Sequence, residues 1–175
     1  MAEEVAAVYP PQNTENAGDD ALTAYKKLYK DSITDTQKFW TETGSKALTW
    51  FSPFTSAIQG SFEEGNIAFY SNGKLNVCYN CLDRWVESGK GDDVAVIWEG
   101  DQLGDSQKFT FQQVLNQVCQ TANMLKSIGV QKGDTVTIYM PMKIDILVVM
   151  LACARIGAVH SVVFAGFSAG GFLLY

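Results

Sequence analysis

Two closely spaced cysteines, a single histidine and a glycine-rich turn are the residues of this chain whose types and spacing could do chemistry. Cys78 and Cys81 stand in the string C-Y-N-C, a spacing used by zinc sites and by thioredoxin-like redox pairs. Zinc would need two further Cys or His ligands, and the one histidine, His160, is far away in sequence. A redox pair would open a helix directly after a strand. This pair instead falls inside an apparently helical stretch, Val77–Glu87, whose apolar face continues through Leu82 and Trp85. Structural cysteines are therefore favoured over metal or redox chemistry. His160 sits in an apolar strand with neither an acid nor a nucleophile beside it, so a core or sheet-edge histidine is favoured over a catalytic base. Arg155, near a helix end, either serves the helix dipole or pairs with a carboxylate. The aromatic group Trp40, Trp50, Phe51 and Phe54 suits packing better than a ligand cage.

The turn reads A-G-F-S-A-G-G over residues 165–171. Set against G-x-G-x-x-G, its middle glycine falls on Ser168, so the dinucleotide fingerprint fails, and no G-x-x-x-x-G-K-[ST] occurs. Because the turn follows a buried strand at the usual ligand-facing edge, its backbone N–H groups could still approach an anion. On the residues alone, glycines needed for a tight turn are the simpler account.

The elements that must position these residues follow from periodicity and punctuation. Residues 1–20 read as a disordered acidic tail. Ala21–Lys30 carries Leu22, Tyr25, Leu28 and Tyr29 at helical spacing. A second short helix starts near Thr34–Asp35 and turns Phe39 and Trp40 inward. Leu48–Phe54 is an aromatic loop ended by Pro53. Two short helices cannot make their own core, so this opening reads as an arm packed against something else. Asn66–Tyr70 reads as a short strand, Asp93–Trp98 as a firmer one, and Phe109 as the start of another. At Thr110 the string T-F-Q-Q is a capping box for a helix running to about Ile128, where Gly129 stops it. Then come a strand at Thr135–Met140, a helix at Ile144–Ile156 ended by Gly157, and a buried strand at Val159–Ala165. Strand and helix in alternation predict an α/β fold: a layered parallel sheet with flanking helices, preceded by a short helical arm.

Composition narrows the class. The chain has 175 residues, 47% hydrophobic and 18% charged, which suits a folded globular protein. Net charge is -6; Glu3, Glu4, Glu15, Asp19 and Asp20 place -5 in the first twenty residues and leave -1 for the rest. No basic stripe marks a nucleic-acid partner. The N-terminus has neither the positive start and apolar stretch of a secretory signal nor the arginines of a mitochondrial presequence. Ile144–Phe167 is apolar, but Asp145, Arg155, Gly157 and His160 interrupt it, so a buried helix and strand are favoured over a membrane span. Free thiols fit a reducing compartment, and the expected location is cytoplasmic.

Several strings taken together resemble a known family. They are L-N-V-C-Y-N-C-L-D-R at Leu75–Arg84, V-I-W-E-G at Val96–Gly100, G-V-Q-K-G-D at Gly129–Asp134, I-Y-M-P-M at Ile138–Met142 and M-L-A-C-A-R-I-G-A-V-H-S-V-V-F-A-G-F-S at Met150–Ser168. In this order and spacing they closely resemble the N-terminal portion of the acetyl-CoA synthetases, the AMP-forming acetate–CoA ligases of the adenylate-forming superfamily. K-L-Y-K-D-S with F-W soon after, and W-F-S-P-F at Trp50–Phe54, are similar to that family's opening segment. The resemblance spans roughly Ala21 to Ser168. Trp85 and Lys143–Asp145 depart from the usual residues without obstructing the fold.

The resemblance implies the conversion of acetate and ATP to acetyl-adenylate and pyrophosphate, then transfer of the acetyl group to CoA, with ATP, magnesium and CoA as the family's ligands. It divides the chain into an arm over residues 21–91 and the start of an AMP-binding domain over residues 92–175. Phe164, Ala165 and Gly166 resemble the turn near the CoA adenine. Family members are several times longer, and the ATP-phosphate loop, the acetate pocket, the magnesium carboxylate and a C-terminal lysine are expected outside the resembling stretch. The chain by itself is therefore expected to be a truncated, inactive portion of the ligase. The rivals are a non-catalytic interaction module, associating with full-length ligase through a sheet edge and the aromatic arm, and a CoA-binding fragment.

Overall fold

The computed structural model describes residues 19–168, 170 and 171. The proposed tail falls almost entirely outside them. Two compact units emerge, one from residues up to 47 together with 55–71, the other from 48–54 together with residues from 72 onward.

The first unit opens with α1 (Asp19–Thr34), longer at both ends than the pattern predicts and including the last two residues assigned to the tail. Asp35 separates it from α2 (Thr36–Ala47), and its Oδ1 accepts the Lys38 N–H at 3.0 Å, the cap expected there. Two strands follow, β1 (Ser56–Gln59) and β2 (Ala68–Ser71), paired antiparallel with Ile58 opposite Phe69. β1 carries only Ala57 and Ile58 as apolar residues, too little to announce a strand. It nevertheless supplies what two helices lack. Ala57 is fully buried, and the Gln37 side chain donates to Ser56 Oγ and accepts from the Ile58 N–H. Gly44 is the close-approach point of α2: a Cβ there would stand 2.5 Å from the Tyr70 ring. Trp40, expected inward, is 42% exposed, while Phe39 is half-buried.

The second unit holds the main core. Residues 77–90 form one helical run with two π turns, Tyr79–Asp83 and Val86–Lys90, instead of the regular α-helix the pattern suggests. Gly89 adopts φ 84°. Next come β3 (Val94–Glu99), β4 (Ser106–Thr110), α3 (Phe111–Ser127), β5 (Thr135–Tyr139), α4 (Ile144–Ile156) and β6 (Val159–Val163). The capping box is present as read: Thr110 Oγ1 accepts the Gln113 N–H at 3.2 Å, and Gln113 Oε1 accepts the Thr110 N–H at 2.9 Å. From α3, Val114, Val118, Ala122 and Leu125 bury one face; from α4 come Val148, Ala152 and Cys153; from the π-turn helix come Cys78 and Leu82. These side chains form one cluster, so the helix placed with the arm on sequence grounds packs in the second unit.

The fold is α/β, but only part of its pairing is parallel. β5 and β6 are parallel, from Thr135 opposite Val159 to Tyr139 opposite Val163, with α4 as their crossover. β3 and β4 are antiparallel. The connection between them, residues 100–105, closes with Gly100 N–H to the Asp105 carbonyl at 2.7 Å. That is long enough for a hairpin and too short for a crossover. β4 also begins before Phe109 because Ser106, Gln107 and Lys108 are exposed and give no apolar signal. Among the described residues, no helix is long and apolar enough to cross a membrane.

Candidate functional site

The string around the two cysteines does structural work. Asn76 caps in two directions: its Oδ1 accepts the Tyr79 N–H at 3.1 Å, and its Nδ2 donates to the carbonyls of Ala154 and Arg155 at 3.0 and 3.2 Å. Both carbonyls lie in the last turn of α4, where helix carbonyls run short of partners; that of Ala154 also accepts the Gly157 N–H at 3.3 Å. Asn80, 6% exposed, exchanges hydrogen bonds with Thr49, accepting its N–H at 2.8 Å and donating to its carbonyl at 3.0 Å. The aromatic segment 48–54 is thereby fastened within the same unit, where Phe51 meets Tyr79 edge-on at 5.4 Å and Trp50 meets Phe54 at 5.0 Å.

Arg155 pairs with a carboxylate, the second of its two sequence readings. Its guanidinium meets Asp83 in a two-pronged contact, Nη1 to Oδ2 at 2.8 Å and Nη2 to Oδ1 at 2.9 Å. The carboxylate holds Arg155 even more firmly protonated than usual. Cys78 Sγ lies 3.6 Å from the same Nη1. Burial pushes the Cys78 thiol up, more than the guanidinium pulls it down. Burial likewise raises Cys153. Cys81 is exposed while Cys78 is buried, and all four thiols are free. The C-Y-N-C pair is therefore not a disulfide, and its buried member, Cys78, is held in the thiol form.

An open cleft beside this node is lined by Cys119, Asn123, Lys126, Gln131, Lys132 and Arg155. Lys126 lies in the last turn of α3, where its charge complements the helix C-terminus. His160 is half-buried in β6 opposite Val136, a sheet position. Among the described residues, no three His, Cys, Asp or Glu side chains gather to hold a metal ion.

The carboxyl ends of the parallel pair carry the candidate ligand-facing turn. After Val163 the chain folds through Phe164–Phe167, closed by the Phe167 N–H to the Phe164 carbonyl at 3.0 Å. The Phe164 ring lies over Gly166, so close that a Cβ would stand 2.5 Å from its Cε1. It meets Phe167 edge-on at 5.9 Å and is 67% exposed. Phe164, Ala165 and Gly166 are thus brought together with an apolar ring facing outward. Sequence reasoning missed Tyr139, whose hydroxyl lies 2.7 Å from the Phe167 carbonyl and 3.1 Å from that of Ala165. The available signal was its place as the last residue of β5, at the edge where parallel sheets receive ligands. Trp98 Nε1 donates to the Met142 carbonyl at 2.9 Å and ties down the loop after β5.

Two family models match in succession. One, described as the acetyl-coenzyme A synthetase N-terminus, covers residues 25–81; the other, the AMP-binding enzyme model, covers residues 82–172, more than half of the chain. Among curated proteins, the chain is 43% identical over 166 residues to an acetyl-coenzyme A synthetase of Dictyostelium discoideum, covering 94% of this chain and 24% of that protein. It is 52% identical over 146 residues to one from Syntrophobacter fumaroxidans, covering 82% of this chain and 22% of that protein. With acetyl-coenzyme A synthetase 2 of Pseudomonas aeruginosa the identity is 47% over 144 residues, covering 82% and 22%. The chain therefore spans about a quarter of the length of these relatives. On these matches it belongs to the AMP-binding enzyme family, with a leading segment of the acetyl-coenzyme A synthetase type.

Proposed function

We propose that this chain is the N-terminal part of an acetyl-CoA synthetase. The whole enzyme would join acetate to ATP, forming acetyl-adenylate and pyrophosphate, and then pass the acetyl group to CoA with release of AMP. The observation carrying this proposal is the unbroken succession of the two family matches from residue 25 to residue 172. Their junction falls inside the π-turn helix, and Asp83 and Asn76 of one signature string bond to Arg155 and Ala154 of another. In this role the described residues bind and orient rather than catalyse: the Phe164–Gly166 turn would offer an apolar face to the CoA adenine. ATP and magnesium would be handled by parts of the enzyme outside the stretch matched here. A cytoplasmic location accords with the four free thiols.

By itself the stretch matched here should not turn over, since positioning and charge stabilisation at the reacting phosphate would come from the rest of the enzyme. The purified chain, given acetate, ATP and magnesium, should release no pyrophosphate above background; sustained release would refute its inactivity. A second reading, an interaction module that associates with full-length ligase, draws on α1. Leu22, Tyr25, Tyr29 and Ile33 recur along that helix and are each more than half exposed. Co-purification with full-length ligase, lost when Tyr25 and Tyr29 are changed to Ser, would favour it.

A further inference from the structure

Tyr139 ends β5 opposite Val163, the last residue of β6. From there its side chain reaches the turn beyond the neighbouring strand. The hydroxyl proton goes to the Phe167 carbonyl at 2.7 Å or is shared with the Ala165 carbonyl at 3.1 Å. Both carbonyls flank Gly166, the residue with the greatest backbone freedom in the turn. Without the hydroxyl, water could satisfy either carbonyl in many conformations of that glycine, and this tie from β5 to the two carbonyls would be gone. With it, both carbonyls turn toward β5 while the Phe164 ring rests on Gly166. A binding surface held in its bound shape loses less freedom when the ligand arrives.

We infer that Tyr139 is a positioning residue whose hydroxyl braces the Phe164–Phe167 turn, so that the Phe164 ring and the Gly166 backbone present one preformed face to a purine ring. The purine's identity as the adenine of CoA rests on the function proposed above; the brace does not. Tyr139 is half exposed at a strand end, so Tyr139→Phe keeps the ring and removes only the oxygen.

Two measurements on the 175-residue chain separate brace from ligand. Amide hydrogen exchange by NMR should show the Phe167 N–H exchanging about five times faster in Tyr139→Phe, the effect of one ordinary hydrogen bond. Ile138 and Val162 amides, inside the paired strands, should keep their rates. Titration with CoA should perturb Gly166 in the unaltered chain, with affinity about fivefold weaker in the variant. Unchanged Phe167 exchange overturns the brace, whatever CoA does. Faster exchange with undiminished CoA affinity overturns the positioning role. If Phe167 exchange quickens but CoA leaves the unaltered chain unperturbed, the brace is upheld and the adenine assignment of the turn falls.

Discussion

The β5–α4–β6 unit has two ends, and they are built differently. Where α4 gives way to β6, Arg155, Asp83 and Asn76 sit among buried Cys78 and Ala158, and their polar atoms engage one another or the backbone. A strand's length away, about 17 Å along five residues of β6, the chain emerges into an exposed turn of Phe164, Ala165, Gly166 and Phe167. The first end spends its polar groups on holding the π-turn helix against α4. The second keeps apolar rings in the open, and the Tyr139 hydroxyl ties its carbonyls to β5. Binding surfaces in α/β sheets lie at the carboxyl ends of the strands, and only the second end lies there. The contrast teaches that the charged residues of the signature strings, which invite catalytic readings, secure the fold, while the uncharged turn is the place to seek a ligand.

Breaking the first end should therefore cost the protein the most stability. Arg155→Ala would leave Asp83, whose side chain is 14% exposed, without its two-pronged partner. Removing one member of a buried pair costs about 3–5 kcal/mol, and the partial exposure of Arg155 brings the expectation to about 2–3 kcal/mol by urea denaturation. A loss below about 0.5 kcal/mol would mean that the pair is ornamental. Asn80→Ala should cost about 1–2 kcal/mol, because it leaves the half-buried N–H and carbonyl of Thr49 without the buried amide that satisfies them. It should also free segment 48–54, visible as increased fluorescence quenching of Trp50. Quenching that stays unchanged would show that aromatic packing alone holds the segment.

How much of this was legible depended on what each residue had to announce. Helix α4 was read to the residue because Gly157 takes φ 77° and stops it, and α3 because Thr110 and Gln113 form a cap from local sequence alone. β1 was invisible, since a four-residue strand with two apolar side chains has no period to detect. The antiparallel turn of β4 was missed because the polar half of that strand looked like loop, so the hairpin seemed too long to be one. The π turns also escaped, because one extra residue per turn hardly alters an apolar pattern over so short a helix. At the site, Phe164, Ala165 and Gly166 came from family likeness, not from chemistry. Tyr139 is separated from the carbonyls it reaches by 26 and 28 residues, and only the parallel pairing of β5 with β6 brings them together. For Arg155 a carboxylate partner was one of two sequence readings; that Asp83 is the partner required the tertiary fold.

Alkaline pH offers a milder probe of the first end. Burial raises the Cys78 thiol above its ordinary value of 9.0. Below pH 9 the thiol is protonated whether the chain is folded or not, and its contribution is constant. Above pH 9 the unfolded chain gives up that proton first, binds fewer protons than the folded one, and stability falls as pH rises. Cys78→Ala should make the decline between pH 9 and 10.5 shallower in urea titrations, without abolishing it, since Cys153 is raised by burial too. An identical slope would place Cys78 outside the titrating core.

The smallest stability effect should come from the second end, and there it is the diagnostic one. Phe164 is 67% exposed and its ring contacts are with Gly166 and Phe167 of its own turn. Phe164→Ala should therefore change the urea midpoint by no more than about 0.5 kcal/mol equivalent, as for other surface positions. Stacking of a base on an aromatic ring contributes about 1–3 kcal/mol, so the same substitution should weaken CoA binding about tenfold or more. Gly166→Ala sharpens the point. Its new methyl group would push the Phe164 ring aside while the ring itself, free on its solvent side, can yield without disturbing the core. If both variants keep their stability and lose CoA, the exposed rings serve a ligand. If either destabilises the chain as much as is expected of Arg155→Ala, the turn belongs to the core and the distinction between the two ends is lost.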